Sequence, residues 1–434
     1  MSGVVGAPVR RVAVVGAGMV GLATAWFLQE RGVEVTVIDR SGVAAGASWG
    51  NAGWLTPAMA APLPEPAILS YGARAVVSPS SPVSVPLTAD PRLARFVASF
   101  VRHSTQGRWT TAMQALLPLN ERALGAFDHL GEHGVAVEVL PADPLLAAFA
   151  RVGDAQPLLD EFGHIEQAGG QVEHELIGGA EAQRREPTLS ESVQAAVLIH
   201  GQRRLNPVTS VAALADAVRE RGGRIVVGSD VQAMEDLGRA GVRVDTSGAG
   251  GGVYDAAVIA TGAWLNRLAH FFGVHHVVQA GRGYSFSVAA EELPRSPIYL
   301  PAQRVGLTPL GDRVRVVGMM EFRRPDAPLD PRRIQAIVES ARPLMRLDLD
   351  AREDEWVGAR PCTADGLPLI GRTESERVFV AGGHGMWGIT QGPITGQLLA
   401  EQMTTGEVPP ALTPFDPLRR LRWAPSRLRR RSRW

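Results

Sequence analysis

The stretch from Arg11 to Arg40 restricts what this chain can fold into more than any other. It opens with VAVVGAGMVG, whose apolar run Val12 to Val15 predicts a buried parallel strand. The glycines Gly16, Gly18 and Gly21 follow with the spacing G-x-G-x-x-G, then a helical segment closed by Gly32. A second β-branched run ends at Asp39. Each part has a physical purpose: Gly16 permits a tight turn, Gly18 lets the backbone approach a pyrophosphate, and Gly21 lets helix and strand pack closely. Met19 and Val20 lie in the same turn, where the first helical N–H groups and their partial positive charge meet the phosphates. Asp39, at the end of the second strand, can accept hydrogen bonds from ribose hydroxyls. A complete strand–turn–helix–strand–acid unit of this kind predicts dinucleotide binding.

Bulk properties fit an enzyme of two domains. The chain has 434 residues and zero net charge, so long-range attraction to nucleic acid is not expected. No apolar stretch approaches a membrane span, and the first residues lack the pattern of a signal peptide. Cys362 is the single cysteine, which excludes an internal disulfide and any cysteine cluster for a metal; it suits a reducing cytoplasm, and no metal is expected. All 44 basic residues are arginine, so chemistry through a lysine is excluded.

The organisation reads as interleaved. Residues Pro57 to Pro91 are crowded with proline and serine and predict an irregular crossing, followed by helices over Leu93 to His133 interrupted near Pro118. A second dinucleotide-fold segment runs from Asn206 to Trp264, in which VRVDT and YDAAVIA form a hairpin around SGAGGG. Antiparallel strands are expected from Val277 to Glu321 and a helix from Pro331 to Met345. The fold class expected is α/β, a Rossmann-like unit interleaved with an α+β domain built on an antiparallel sheet. Its boundaries would be 1–92, 200–270 and 355–410 for the dinucleotide unit, 93–199 and 271–354 for the second domain, and 411–434 for a basic tail.

Four segments in this order carry a family resemblance: VAVVGAGMVG…VTVIDR, ASWGNAG, VIATGAW, and GARPCTADGLPLIG…VFVAGGHGMWGITQGPITGQLLAE. The chain resembles the FAD-dependent amine and D-amino-acid oxidoreductases, and within them the D-amino acid dehydrogenase branch. The resemblance implies non-covalent FAD and a flavin ring covered by the sheet domain. It places Gly16, Gly18 and Gly21 at the pyrophosphate, Asp39 at the ribose and Arg40 beside the adenine. Ser48, Asn51, Ala52 and Gly53 match the loop near the flavin, and Val231 a position that meets the adenine through its backbone. Thr261, Gly262 and Trp264 match the turn that closes over the cofactor. His384 and the following Gly385, Met386, Gly388, Ile389 and Thr390 match a segment whose N–H groups approach the pyrimidine end of the ring.

The resemblance also implies hydride transfer from an amino acid's α-carbon to flavin. Arg360 occupies the matching position for a carboxylate-binding fork, the alternative being a structural pair with Asp365 or Glu355. Tyr284, in GRGYSF, either contacts substrate or is core with a wet tip. His384 is either a proton carrier or an element of shape. Cys362 reads as a small buried hydrophobe, since the cysteine that holds flavin covalently in sarcosine oxidases falls near Gly358 in register. The implied partners are a small amino-acid substrate and an electron acceptor, a quinone or other carrier. An oxygen-using oxidase and a flavin-binding subunit of a larger redox complex remain alternatives. The tail LRRLRWAPSRLRRRSRW, Leu418 to Trp434, suits peripheral contact with an anionic membrane or a solvated cationic end.

Overall fold

The apolar run after Arg11 is buried on both faces because it lies at the middle of a parallel sheet. The computed structural model describes residues 9–66, 81, 83–86 and 89–419. Its six-stranded sheet runs in the order Arg224–Val227, Glu34–Asp39, Arg11–Val15, Ala256–Ile259, Val378–Gly382, Leu369–Arg372. Every neighbouring pair is parallel except the last, which is an antiparallel edge. Helices Met19–Glu30, Pro207–Glu220 and Gly388–Thr405 cover one face through Trp26, Phe27, Leu214, Val218 and Leu398. The other face packs on the antiparallel strands Val231–Asp236, Val242–Thr246 and Gly252–Tyr254, and on Leu265 to Val274.

The second sheet has nine strands and alternates apolar residues toward helix Pro331–Ala341. At its cleft end lie Arg352–Thr363, Val278–Ala289, Arg313–Phe322 and Val305–Leu310, antiparallel to one another. Two pairings are parallel, Ile298–Leu300 with Leu145–Phe149 and Arg313–Phe322 with Val83–Ser84, so the sheet is mixed.

Several expected boundaries move. Residues 355–363 belong to the nine-stranded sheet rather than to the dinucleotide unit, because Arg352–Thr363 pairs along Val278–Ala289. The segment YDAAVIA divides at Asp255: Gly252–Tyr254 completes the small antiparallel sheet, while Ala256–Ile259 joins the parallel one. Pro118 does not interrupt a helix; it sits inside Gln106–Glu132, and the break falls earlier, after helix Pro91–His103. That long helix, expected in the second domain, gives Leu119, Phe127 and Leu130 to the core under the parallel sheet. Residues 411–419 are not a free tail. Leu412 and Phe415 are buried, and Arg419 pairs with Asp365. The basic stretch 420–434 lies outside the described residues.

Candidate active site

The glycine turn is built as its spacing requires. Gly16 has φ +116°, and a Cβ there would stand 2.5 Å from the Ala260 carbonyl oxygen. A Cβ at Gly21 would overlap the Gly16 carbonyl oxygen, so this glycine sets the approach of helix to strand. At Gly18 a Cβ would meet only Ser48 Oγ, at 3.5 Å, and the space beyond is open. Asp39 locks the turn: its Oδ2 accepts from the Ala17 N–H at 2.9 Å, and its Oδ1 from the N–H groups of Ser41 and Gly42. An aspartate expected to meet a ribose therefore also shapes the turn, with lone pairs left for a ligand.

The turn opens on a cleft of about 1280 Å³ including its mouth. Gly16, Gly18, Met19, Val20, Asp39, Arg40, Ser48 and Asn51 line it, with Val231, Thr261, Gly262 and Trp264. Arg360, His384, Gly385, Met386, Gly388 and Ile389 complete the lining. Four expected contacts are absent from its wall. Gly21 acts through packing, as above. Gly53 has φ +74°, and its missing side chain makes room for the Leu205 carbonyl. Ala52 does not reach the cleft, and Thr390 is buried with its hydroxyl donated to the Trp54 carbonyl at 3.0 Å.

Two helix N-termini meet this space, at Met19 and at Gly388; neither has an acidic residue in its first turn, and the Met19 N–H makes only a long hydrogen bond to Ser48 Oγ at 3.4 Å. Their N–H groups and partial positive charges are available to an anionic ligand. Thr261 Oγ1 on the wall is buried and has no hydrogen-bond partner. Together with the open space at Gly18, these features fit a dinucleotide laid along the cleft. At the rim the Arg40 guanidinium stacks over the Trp264 ring at 4.0 Å. Trp264 Nε1 donates to Asp326 at 3.1 Å, and Arg40 meets the same carboxylate at 3.5 Å. Asp326 ties the rim to the loop after Arg313–Phe322, and nothing local in the sequence marks it.

Arg360 projects from Arg352–Thr363 and lies across Gly283 of the neighbouring strand, where any Cβ would overlap its guanidinium. Its Nη1 donates to the Met319 carbonyl at 2.7 Å. Neither anticipated carboxylate neutralises it: Asp365 pairs with Arg419 and Glu355 with Arg352. Burial pushes its pKa down. Gly283 was not singled out in the sequence, although a glycine inside an alternating strand is a signal of close approach.

Tyr284 does not belong to the site. Strand alternation turns it to the opposite face, where it is fully buried and donates to Glu321 Oε2 at 2.8 Å. Burial and that carboxylate raise its pKa. His384 lines the cleft, but its Nε2 is 2.9 Å from Thr395 Oγ1 and burial lowers its pKa to about 4, so the ring is neutral at ordinary pH. The neutral ring adds to the shape of the cleft wall. Cys362 is a buried free thiol with its pKa raised to about 12 by burial.

The DAO family, FAD dependent oxidoreductase, matches residues 11–402. The chain belongs to that family. It is therefore an FAD-dependent oxidoreductase, and the cleft is where the cofactor's expected contacts converge. A D-amino acid dehydrogenase of Phenylobacterium zucineum (strain HLK1) is 29% identical over 421 residues, 94% of this chain and 96% of that one. Glycine oxidase from Geobacillus kaustophilus superposes with a TM-score of 0.74 at 23% identity, covering 95% of this chain and 100% of that one. L-α-glycerophosphate oxidase from Mycoplasma pneumoniae, with FAD bound, superposes with a TM-score of 0.71 at 16% identity, covering 92% and 95%. These likenesses agree with the mixed α/β architecture. Among the described residues, no helix is long and apolar enough to cross a membrane.

Proposed function

We propose that this flavoenzyme oxidises the carbon–nitrogen bond of a D-amino acid or secondary amino acid and passes the electrons to a quinone or other carrier. Arg360 carries the reading. It is a half-buried guanidinium on the wall of the cofactor cleft, held by a carbonyl and with no carboxylate partner among the described residues, and a substrate carboxylate would complete it. The D-amino acid dehydrogenase relative supports the substrate class. FAD, when bound, supplies an acceptor for two electrons delivered as hydride. The chain's own residues would position the substrate: Arg360 fixes the carboxylate and so orients Cα. The uncapped N-terminus at Gly388 favours groups that gain negative charge at that end of the cleft. Loss of hydride from Cα leaves an iminium, which loses its proton to solvent or is hydrolysed to the keto acid and free amine.

Gly16, Gly18, Met19, Asp39, Arg40, Ser48, Asn51, Val231, Thr261 and Trp264 would hold the cofactor, and the buried, protonated Cys362 supports a non-covalent mode. The parallel-sheet unit would then serve FAD and the nine-stranded sheet the substrate. The chain has no lysine to activate oxygen, which supports a carrier as acceptor. The basic stretch to Trp434 would bring the enzyme to an anionic membrane where a quinone resides, each arginine contributing on the order of 1 kcal/mol.

The test is anaerobic flavin bleaching of the holoenzyme with D-, L- and N-alkyl amino acids, followed by readmission of air. Bleaching by one series and slow reoxidation in air is the expected result; fast reoxidation would make it an oxidase. Arg360→Ala should raise KM for the bleaching substrate about tenfold or more, with FAD retained. Unchanged kinetics in that variant would remove Arg360 from the substrate site.

A further inference from the structure

The two faces of the nine-stranded sheet treat arginine differently. On the core side Arg282 meets Glu321 at 3.1 Å and Arg333 meets the same carboxylate at 3.8 Å, so each has an acidic partner and the two share its single charge. On the cleft side the Arg360 guanidinium has, among the described residues, only the Met319 carbonyl. A second arginine on that side is in the same condition. Arg315 is 7% exposed, its Nη1 donates to Ser285 Oγ at 3.4 Å, and its guanidinium stacks over the Trp49 ring at 4.8 Å. Its Nε is buried without a partner, and among the described residues no carboxylate forms an ion pair with it. Burial pushes its pKa down, against the charge of Asp354. A buried charge left in this state is costly, which argues that a partner arrives with the ligand.

The strands put the two guanidinium groups on one face of the sheet, Arg360 on the cleft wall and Arg315 beyond that wall, against the Trp49 ring. Arg360 lies over Gly283, and Arg315 hydrogen-bonds Ser285 of the same strand, two residues on and on the same face. That step is about 7 Å along an antiparallel strand. Trp49 and Trp356, with ring centroids 6.0 Å apart, stand beside it, both half-buried. Next to Arg315 the Thr308 hydroxyl faces the same way and is the acceptor for Trp54 Nε1 at 2.8 Å. Arg204 adds a further cation on this side. Its Nη1 donates to the Pro309 carbonyl at 2.6 Å, and its Nε is also buried without a partner.

We propose that the substrate carries a second acidic group in its side chain and that Arg315 binds it, Arg360 holding the α-carboxylate. The substrate class is then a short dicarboxylic amino acid of the aspartate or glutamate kind. This rests on the amino-acid reading of the cleft and narrows it. A neutral side chain would leave the Arg315 guanidinium without a counter-charge in a site that excludes water, so the enzyme should discriminate against it. The isosteric amides are the sharpest comparison, because they keep the shape and remove only the charge.

The experiment is stopped-flow bleaching of the holoenzyme with aspartate against asparagine and glutamate against glutamine, in whichever stereochemical series reduces the flavin. The acid should be favoured over its amide by about tenfold or more in kcat/KM, as expected for a charge-assisted hydrogen bond. Arg315→Gln should bring that ratio close to one, while Arg360→Gln should weaken acid and amide alike. Arg315→Lys, which keeps the charge without the planar fork, should retain an intermediate preference and serves if the glutamine variant does not fold. A wild-type enzyme that prefers the amides or simple neutral amino acids overturns the second site and leaves amino-acid oxidation standing. An Arg315→Gln enzyme with an undiminished acid preference also overturns it. If no amino acid bleaches the flavin, the underlying reading fails with it.

Discussion

Gly283 and Tyr284 are adjacent in the chain and point to opposite sides of one strand. The glycine makes room for the Arg360 guanidinium, and the tyrosine closes a buried network with Glu321 and Arg282. Tyr284 is therefore a residue of stability. Tyr284→Phe removes one hydrogen bond but leaves Glu321 paired to Arg282, so the loss should be about 1–2 kcal/mol. Denaturant unfolding of the holoenzyme measures it, and kcat/KM for the amino acid should stay within about twofold, well short of the tenfold loss expected for a carboxylate contact. A tenfold fall in kcat/KM with unaltered stability would return Tyr284 to the site. The sequence showed both residues in GRGYSF but not which way each pointed. Strand alternation is a relative phase, and only the pairing with Arg352–Thr363 fixes it.

Helix Gly388–Thr405 lies against helix Met19–Glu30, and the contact depends on glycines four residues apart. A Cβ at Gly392 would come 2.6 Å from Met19 Cγ, whereas one at Gly396 would come 2.6 Å from the Ala23 carbonyl carbon. The first neighbour is a flexible side chain and the second is backbone. Replacing glycine by alanine inside a helix gains about 1 kcal/mol, while overpacking costs about 1–3 kcal/mol. Gly392→Ala should thus be close to neutral, because Met19 can turn aside, and Gly396→Ala clearly destabilising, because the helices must separate. Thermal unfolding of the two holoenzyme variants decides it; equal losses would mean that the helix contact is softer than the geometry implies. Local signals explain what was legible at this scale. The strand–turn–helix–strand unit declares itself within thirty residues or so, through glycine spacing and apolar runs. Helix Gln106–Glu132 could not be placed in the same way. Its Phe127 and Leu130 join a core built by Trp26, Val218 and Leu398, partners distant in sequence, and the interior Pro118 suggested a break where tertiary packing sustains a helix. The cofactor side of the cleft was likewise readable from its turns, whereas Arg315 and Asp326 depend on sheet order and loop closure, which no local pattern encodes.

Between about pH 4 and pH 8, three titratable groups with large shifts among the described residues set how stability responds to pH. Burial lowers His384 to about 4, and burial together with the nearby Arg419 charge lowers His276 to about 4. Glu161 moves the other way, raised to about 8 by burial and by Glu65. Below about 6.5 the unfolded chain protonates both histidines while the folded chain resists, so stability falls as pH drops toward 4. Between about 4.5 and 8 the folded chain keeps the Glu161 proton that the unfolded chain has lost, so stability falls as pH rises through that range. Below 6.5 the two histidines outweigh the single glutamate, and above 6.5 the glutamate acts alone. The thermal midpoint of the FAD-loaded protein should therefore peak near pH 6.5 and decline on both sides. Glu161→Gln should flatten the alkaline limb and leave the acid limb in place, since an amide in that site carries no charge to bury. His276→Asn should shallow the acid limb without touching the alkaline one. A midpoint that climbs steadily from pH 6.5 to 8 would show that Glu161 is ionised in the folded protein, and the burial argument for it would be lost.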